Sequence, residues 1–177
     1  VSYRGPYFSG GYERDPSNAA PTVRGFLSDN IEKVLGKGVK ISTSGRTDAC
    51  VSAKSGLFTF ATFQPIESET IFLQKLNDLC SPVMNVADMK QVDNSFHATF
   101  SAKAREYLYV LPLHKSDREK GPMLAETIQV FLDSVVGEEV DYMGISQGKI
   151  ETKDSLCVLQ SASCCFCTTE SCPTQPH

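Results

Sequence analysis

Two hydrophobic periods alternate along the chain, and together they predict its elements. In TVRGFLSDNIEKVLGKG, Val23, Phe26, Leu27, Ile31, Val34 and Leu35 recur at the three- and four-residue spacing of one helical face. Thr22 stands before this run as an N-cap and Gly36 after it as a stop. SETIFLQKLNDLCSP predicts a second helix, with Phe72, Leu73, Leu76, Leu79 and Cys80 inward and Pro82 beyond its end. MLAETIQVFLDSVVGEE predicts a third, with a stripe of Leu124, Ile128, Phe131, Leu132 and Val135 and a stop at Gly137. Between the helices the period shortens to two. VKISTS puts Val39, Ile41 and Thr43 on one face, and LFTFATF is β-branched and aromatic throughout. EYLYVLPL predicts a strand ending at Pro112, VMNVADMKQV a weaker one, and VSYRG a first strand at the start.

The order over residues 1–92 is strand, helix, strand, strand, helix, strand. That order predicts an α+β fold of the ferredoxin-like (RRM-like) kind, an antiparallel sheet with its helices on one face. Residues 93–160 then begin a second α/β half with a strand and a helix and leave it incomplete. Residues 161–177 form a tail rich in Cys, Ser, Thr and Pro, expected to be disordered.

Composition narrows the class. Of 177 residues, 41% are apolar and 21% charged, which suits a folded chain rather than a disordered one. No apolar run approaches the roughly 20 residues of a membrane helix. A soluble intracellular protein is expected, with cytoplasm, nucleus and organelle all open. Val1 in place of a methionine leads us to expect a processed or incomplete start. The net charge of -4 argues against a nucleic-acid binder until its distribution is considered. The basic excess falls in residues 1–63 and 97–120, and the acidic excess in 64–96 and beyond 121. Five of the seven cysteines, Cys157, Cys164, Cys165, Cys167 and Cys172, crowd the end; their spacing lacks the two C-x-x-C pairs of a zinc ribbon or finger, and no histidine lies within the cluster. No metal is expected.

Chemistry concentrates in SGRTDACVSA. In this layout Gly45 permits a sharp turn with unusual backbone angles, and Arg46 stands within reach of Asp48. An R-x-D pair in a loop can be a surface salt bridge worth about 0–1 kcal/mol. It can also be a reactive carboxylate that a guanidinium keeps ionised. His97, on an apolar-flanked stretch, is read as a satisfied structural residue.

GRTDACVSA resembles the signature turn of the TruA-type tRNA pseudouridine synthases. SFHATFSAKAREYLYVL is similar to that family's second block, TVRGFLSDNIEKVLG to the helix after its first block, and FSGGYERDPSNAAP to the first block itself. The resemblance spans residues 1–140 in order. It implies an isomerase that converts uridine to pseudouridine in tRNA without a cofactor, with Asp48 as the essential carboxylate. It further implies that Arg46 replaces or holds open the extruded nucleotide and that Tyr107 packs on the target base. Tyr109 keeps a structural place in the core. Lys103 and Arg105, with Lys54 and then Lys115, Arg118 and Lys120 behind them, are the implied phosphate contacts. Partners implied are tRNA and, since family members commonly dimerise, a second copy of the chain.

The chain departs from the family pattern in several places. Cys50 replaces a glycine, which would carry strain if that position has φ > 0; Gly11 replaces a tryptophan and Arg24 a glutamine. Residues after Gly137 offer no counterpart to the family's later strands and helices, as in a truncated or variant member. The alternative function is therefore a non-catalytic RNA-binding remnant of the same family, lacking the C-terminal half of the active site. A third is an interaction module with a metal-binding Cys tail.

Overall fold

The computed structural model describes residues 1–10, 20–36, 38–143 and 156–167. The chain divides into two compact units, Val1–Tyr107 and Leu108–His177. The first contains β1 (Ser2–Tyr3), a 3₁₀ turn at Gly5–Tyr7, α1 (Val23–Leu35), β2 (Lys40–Thr43), β3 (Phe58–Ala61), α2 (Glu69–Cys80) and β4 (Met84–Asn85). The second contains a 3₁₀ turn at Lys115–Lys120, α3 (Gly121–Val135), β5 (Glu139–Asp141) and β6 (Leu156–Val158).

Both helices of the first unit begin at capping side chains. Thr22 Oγ1 accepts the Gly25 N–H at 3.0 Å, and Ser68 Oγ accepts that of Ile71 at 3.4 Å. Gly36 ends α1 with φ 91°, a region open to glycine. The apolar stripes of α1 and α2 face a common core, where Val23, Leu27, Ile31, Phe72, Leu76 and Cys80 are buried. Ile41 and Thr43 are buried from β2, in keeping with a period of two. Leu79 was expected in this core. It lies on the margin of its stripe, in the last helical turn, and is 42% exposed.

The strands pair antiparallel. β1 pairs with β4 through Ser2–Asn85 and Tyr3–Met84, and β2 pairs with β3 from Lys40–Ala61 to Thr43–Phe58. Tyr3 also exchanges both backbone hydrogen bonds with Ala53, at 2.9 and 3.2 Å. The Gly56 N–H donates to the Val1 carbonyl, so the approach to β3 runs along β1. Asn77 of α2 closes the unit near β4. Its side-chain amide donates to the Val86 carbonyl and accepts the Val86 N–H, as a neighbouring strand would.

In the second unit, β5 and β6 form an antiparallel pair, and Gly137, at φ 83°, follows α3. Residues 161–167, expected to be disordered, lie against α3. The Cys164 N–H donates to Gln129 Oε1 at 2.7 Å, and the Phe166 ring covers the Cα of Gly121. Residues 168–177 of that tail, and Gly11 with most of the first block, lie outside the described residues.

The strand expected over 106–113 does not form. A strand exists only as part of a ladder, and among the described residues nothing pairs with this segment. Tyr109, expected in the core, is 79% exposed, and Leu108, Val110 and Leu111 are exposed beside it. No described helix is long and apolar enough to cross a membrane.

Candidate active site

The turn from Ser44 to Ala53 leaves the end of β2 and returns to the start of the β3 approach. Its conformation is pinned at nearly every step. Thr43 Oγ1 donates to the Gly45 carbonyl at 2.8 Å, closing a hydroxyl turn over Ser44. The Ser44 N–H donates to the Leu57 carbonyl at 3.0 Å. The Tyr3 hydroxyl and Thr47 Oγ1 share a hydrogen bond of 2.9 Å, which ties the middle of the turn to β1. The Val51 N–H donates to the Asp48 carbonyl at 3.2 Å, and the Cys50 N–H to Phe8.

The unusual backbone angle falls on Cys50, with φ 66°, and not on Gly45. Gly45 answers a different need: a Cβ there would stand 3.2 Å from Arg105 Nε. Gly5 completes the packing. A Cβ on it would overlap the backbone of Cys50 and Val51, so glycine alone lets the two chains approach this closely.

Beside the turn lies a pocket of about 650 Å³. It is lined by Ser42–Arg46 together with His97, Thr99, Phe100, Arg105 and Tyr107. Three of the sequence-predicted residues meet here, Arg46, Arg105 and Tyr107. Tyr107 is 66% exposed, an open ring face rather than a core aromatic. Asp48 is exposed two residues beyond Arg46, outside the lining, and among the described residues no ion pair joins the two. Lys103 and Lys54 are exposed in the same unit. Arg105, expected on phosphate, donates from Nε and Nη2 to the Ser44 carbonyl at 3.0 and 2.6 Å. In the second unit Lys115, Arg118 and Lys120 are exposed, and Lys120 pairs with Asp117 at 2.9 Å.

His97 is satisfied at both ring nitrogens. Nδ1 accepts the Thr99 N–H at 3.2 Å, so in the neutral ring Nε2 carries the proton and donates to Ser42 Oγ at 3.2 Å. A donor nitrogen cannot take a proton from the serine, and this dyad is not an activated nucleophile. Just upstream, the Ser95 N–H donates to Asp93 Oδ1 at 2.8 Å, and the side-chain hydrogen bond with Ser95 holds the Asp93 carboxyl below its ordinary pKa. Tyr3, Thr43, Thr47, His97 and Thr99 all shape the site, and nothing in their local sequence tells which partners they meet. Their partners are strands and turns elsewhere in the chain.

Comparison with known proteins adds a second line. No family model matches the chain. It is 34% identical over 116 residues to the tRNA pseudouridine synthase A of Chlorobaculum tepidum, a match covering 66% of this chain and 46% of that protein. It is 37% identical over 110 residues to the tRNA pseudouridine synthase A of a Geobacillus species, covering 62% and 43%. Against that of Chlorobium limicola the identity is 29% over 167 residues, covering 90% and 67%. The chain thus spans less than half the length of the first two relatives.

Proposed function

The chain belongs to the TruA-type tRNA pseudouridine synthase family, and from that premise we propose that it isomerises uridine to pseudouridine in tRNA, with Asp48 acting at the sugar. The observation that carries this reading is the pocket beside the pinned turn, which Arg46 and Tyr107 both line. The reaction breaks the bond from C1′ to N1, turns the freed uracil, joins C5 to C1′, and loses the C5 proton while N1 takes one up, so that product and substrate are isomers. No net oxidation occurs, and the sugar passes through electron deficiency at C1′. A carboxylate suits that step, because it supplies an electron pair at C1′ or takes a proton from the sugar, and its charge stabilises the positive charge developing there.

A uridine stacked in a helix cannot reach such a group, so the nucleotide must be extruded. Exposure of Asp48 on a turn fits that requirement. In this scheme Arg46 fills the vacated position or holds the backbone apart, and Tyr107 offers its exposed ring to the flipped base and handles the C5 proton. Lys103 and Lys54 contact phosphate, giving affinity without base information.

The same reading takes residues 1–92 as a ferredoxin-like unit. Its support is the neighbour order β4, β1, the approach to β3, β2, all antiparallel, with both helices contributing to one core. It takes tRNA as the partner and a homodimer as the assembly, which sedimentation at micromolar concentration tests.

One observation favours a second reading, RNA binding without turnover: Asp48 lies outside the pocket lining. Incubation of the purified chain with unmodified tRNA, followed by mass-spectrometric detection of pseudouridine, separates the two. Product formation that Asp48→Ala abolishes, by at least about 10³-fold, supports the isomerase. Salt-sensitive binding with no product in either chain leaves the binder.

A further inference from the structure

β3 covers one edge of β2. Side chains from residues 97–105 bind three consecutive residues where the strand ends, Ser42, Thr43 and Ser44. His97 Nε2 holds Ser42 Oγ, Thr99 Oγ1 donates to the Thr43 carbonyl at 2.7 Å, and Arg105 donates twice to the Ser44 carbonyl. The last grip is the one nearest the chemistry. Ser44 is the residue from which the Gly45–Asp48 turn departs, and the Arg105 side chain lies across Gly45 as well, close enough that any Cβ there would press on it.

We infer that Arg105 is a positioning residue whose guanidinium fixes the departure of the Asp48 turn from β2, and not an RNA-phosphate contact. The inference rests on Asp48 acting as proposed above. A planar fork can place two N–H groups on one carbonyl, and a lysine ammonium cannot reproduce that grip. The carbonyl is held from the pocket side while the Ser44 N–H is held by Leu57 from the β3 side. The peptides flanking Ser44 are thereby anchored in two directions, and the turn can pivot only by breaking one of those anchors. Catalytic carboxylates lose about 10²-fold in rate for displacements near 1 Å.

Single-turnover conversion of tRNA, RNA affinity across a salt series and amide exchange over residues 44–50 test this on the full chain with Arg105→Met and Arg105→Lys. Positioning predicts that Arg105→Met lowers the rate at saturating RNA by about 10- to 100-fold. RNA affinity stays within about twofold, the salt slope keeps its wild-type value, and exchange of the turn amides speeds up. Arg105→Lys recovers part of the rate, because one donor remains, and it keeps the test open should the methionine variant fold poorly. A phosphate role predicts the reverse: a salt slope shallower by about 0.7–0.9, weaker binding and an unchanged saturated rate, and that result overturns the inference. If the wild-type chain forms no pseudouridine, the proposed function fails. The salt slope and the amide exchange then still decide Arg105, with unchanged exchange overturning its role.

Discussion

At Cys50 an L-residue occupies the left-handed region, at φ 66°, two residues beyond the proposed catalytic carboxylate. Holding a residue with a Cβ there costs about 1–2 kcal/mol, while glycine at the same place loses roughly 0.5–1 kcal/mol through the freedom of its unfolded chain. Cys50→Gly is therefore expected to stabilise the chain by about 0.5–1 kcal/mol, read as a higher denaturant midpoint with an unchanged slope. No gain would mean that the surrounding backbone, not the Cβ, sets the strain. The motif gave the position to watch. The neighbouring requirement at Gly5, whose Cα lies against the Cys50 and Val51 backbone, is carried by no motif, because it arises only when β1 and the turn are brought together.

At the scale of elements, α1 and α2 match their sequence pattern because everything that defines them is local. The stripe, the caps and the glycine stop lie within one or two turns of each other. Thr22→Ala removes the acceptor for the Gly25 N–H and is expected to cost about 1 kcal/mol, measurable as a lower midpoint in chemical denaturation. A loss below about 0.2 kcal/mol would mean that water replaces the cap fully. α3 has the same period, yet Leu124 and Phe131 are exposed and Ile128, Leu132 and Val135 are half-buried. Periodicity predicts which residues share a face and leaves open whether anything covers it. Residues 106–113 make the same point for strands. Their composition suits a sheet, and a sheet also needs a neighbour in register.

For the molecule as a whole, burial sets the order in which its thiols become accessible. Cys80 is fully buried between α1 and α2, whereas Cys50, Cys157 and Cys165 are exposed. Burial pushes the Cys80 thiol above its ordinary pKa, with nearby Lys33 and a hydrogen bond to Asn30 pulling in the opposite direction. Since the folded value is raised, the stability this thiol contributes is present below its unfolded pKa. It is lost as pH climbs through the raised value. Alkylation with iodoacetamide should label Cys50, Cys157 and Cys165 well before Cys80, which reacts only at the rate of global opening, about 10³-fold slower or more. Rapid labelling of Cys80 in the native state would show that the α1–α2 core opens locally.

The two capped helices and the inward face of β2 follow from spacing along a few consecutive positions, and the SGRTDACVSA turn could be picked out by its motif. Tertiary structure decided what holds that turn. The Tyr3 hydroxyl reaches Thr47 across 44 residues, His97 reaches Ser42 across 55, and Arg105 reaches the Ser44 carbonyl across 61. Such partners depend on strand register and on which edge of β2 is left open, and no local period encodes either. For that reason the Arg105 guanidinium, expected on RNA phosphate, is found on a backbone oxygen four residues before Asp48.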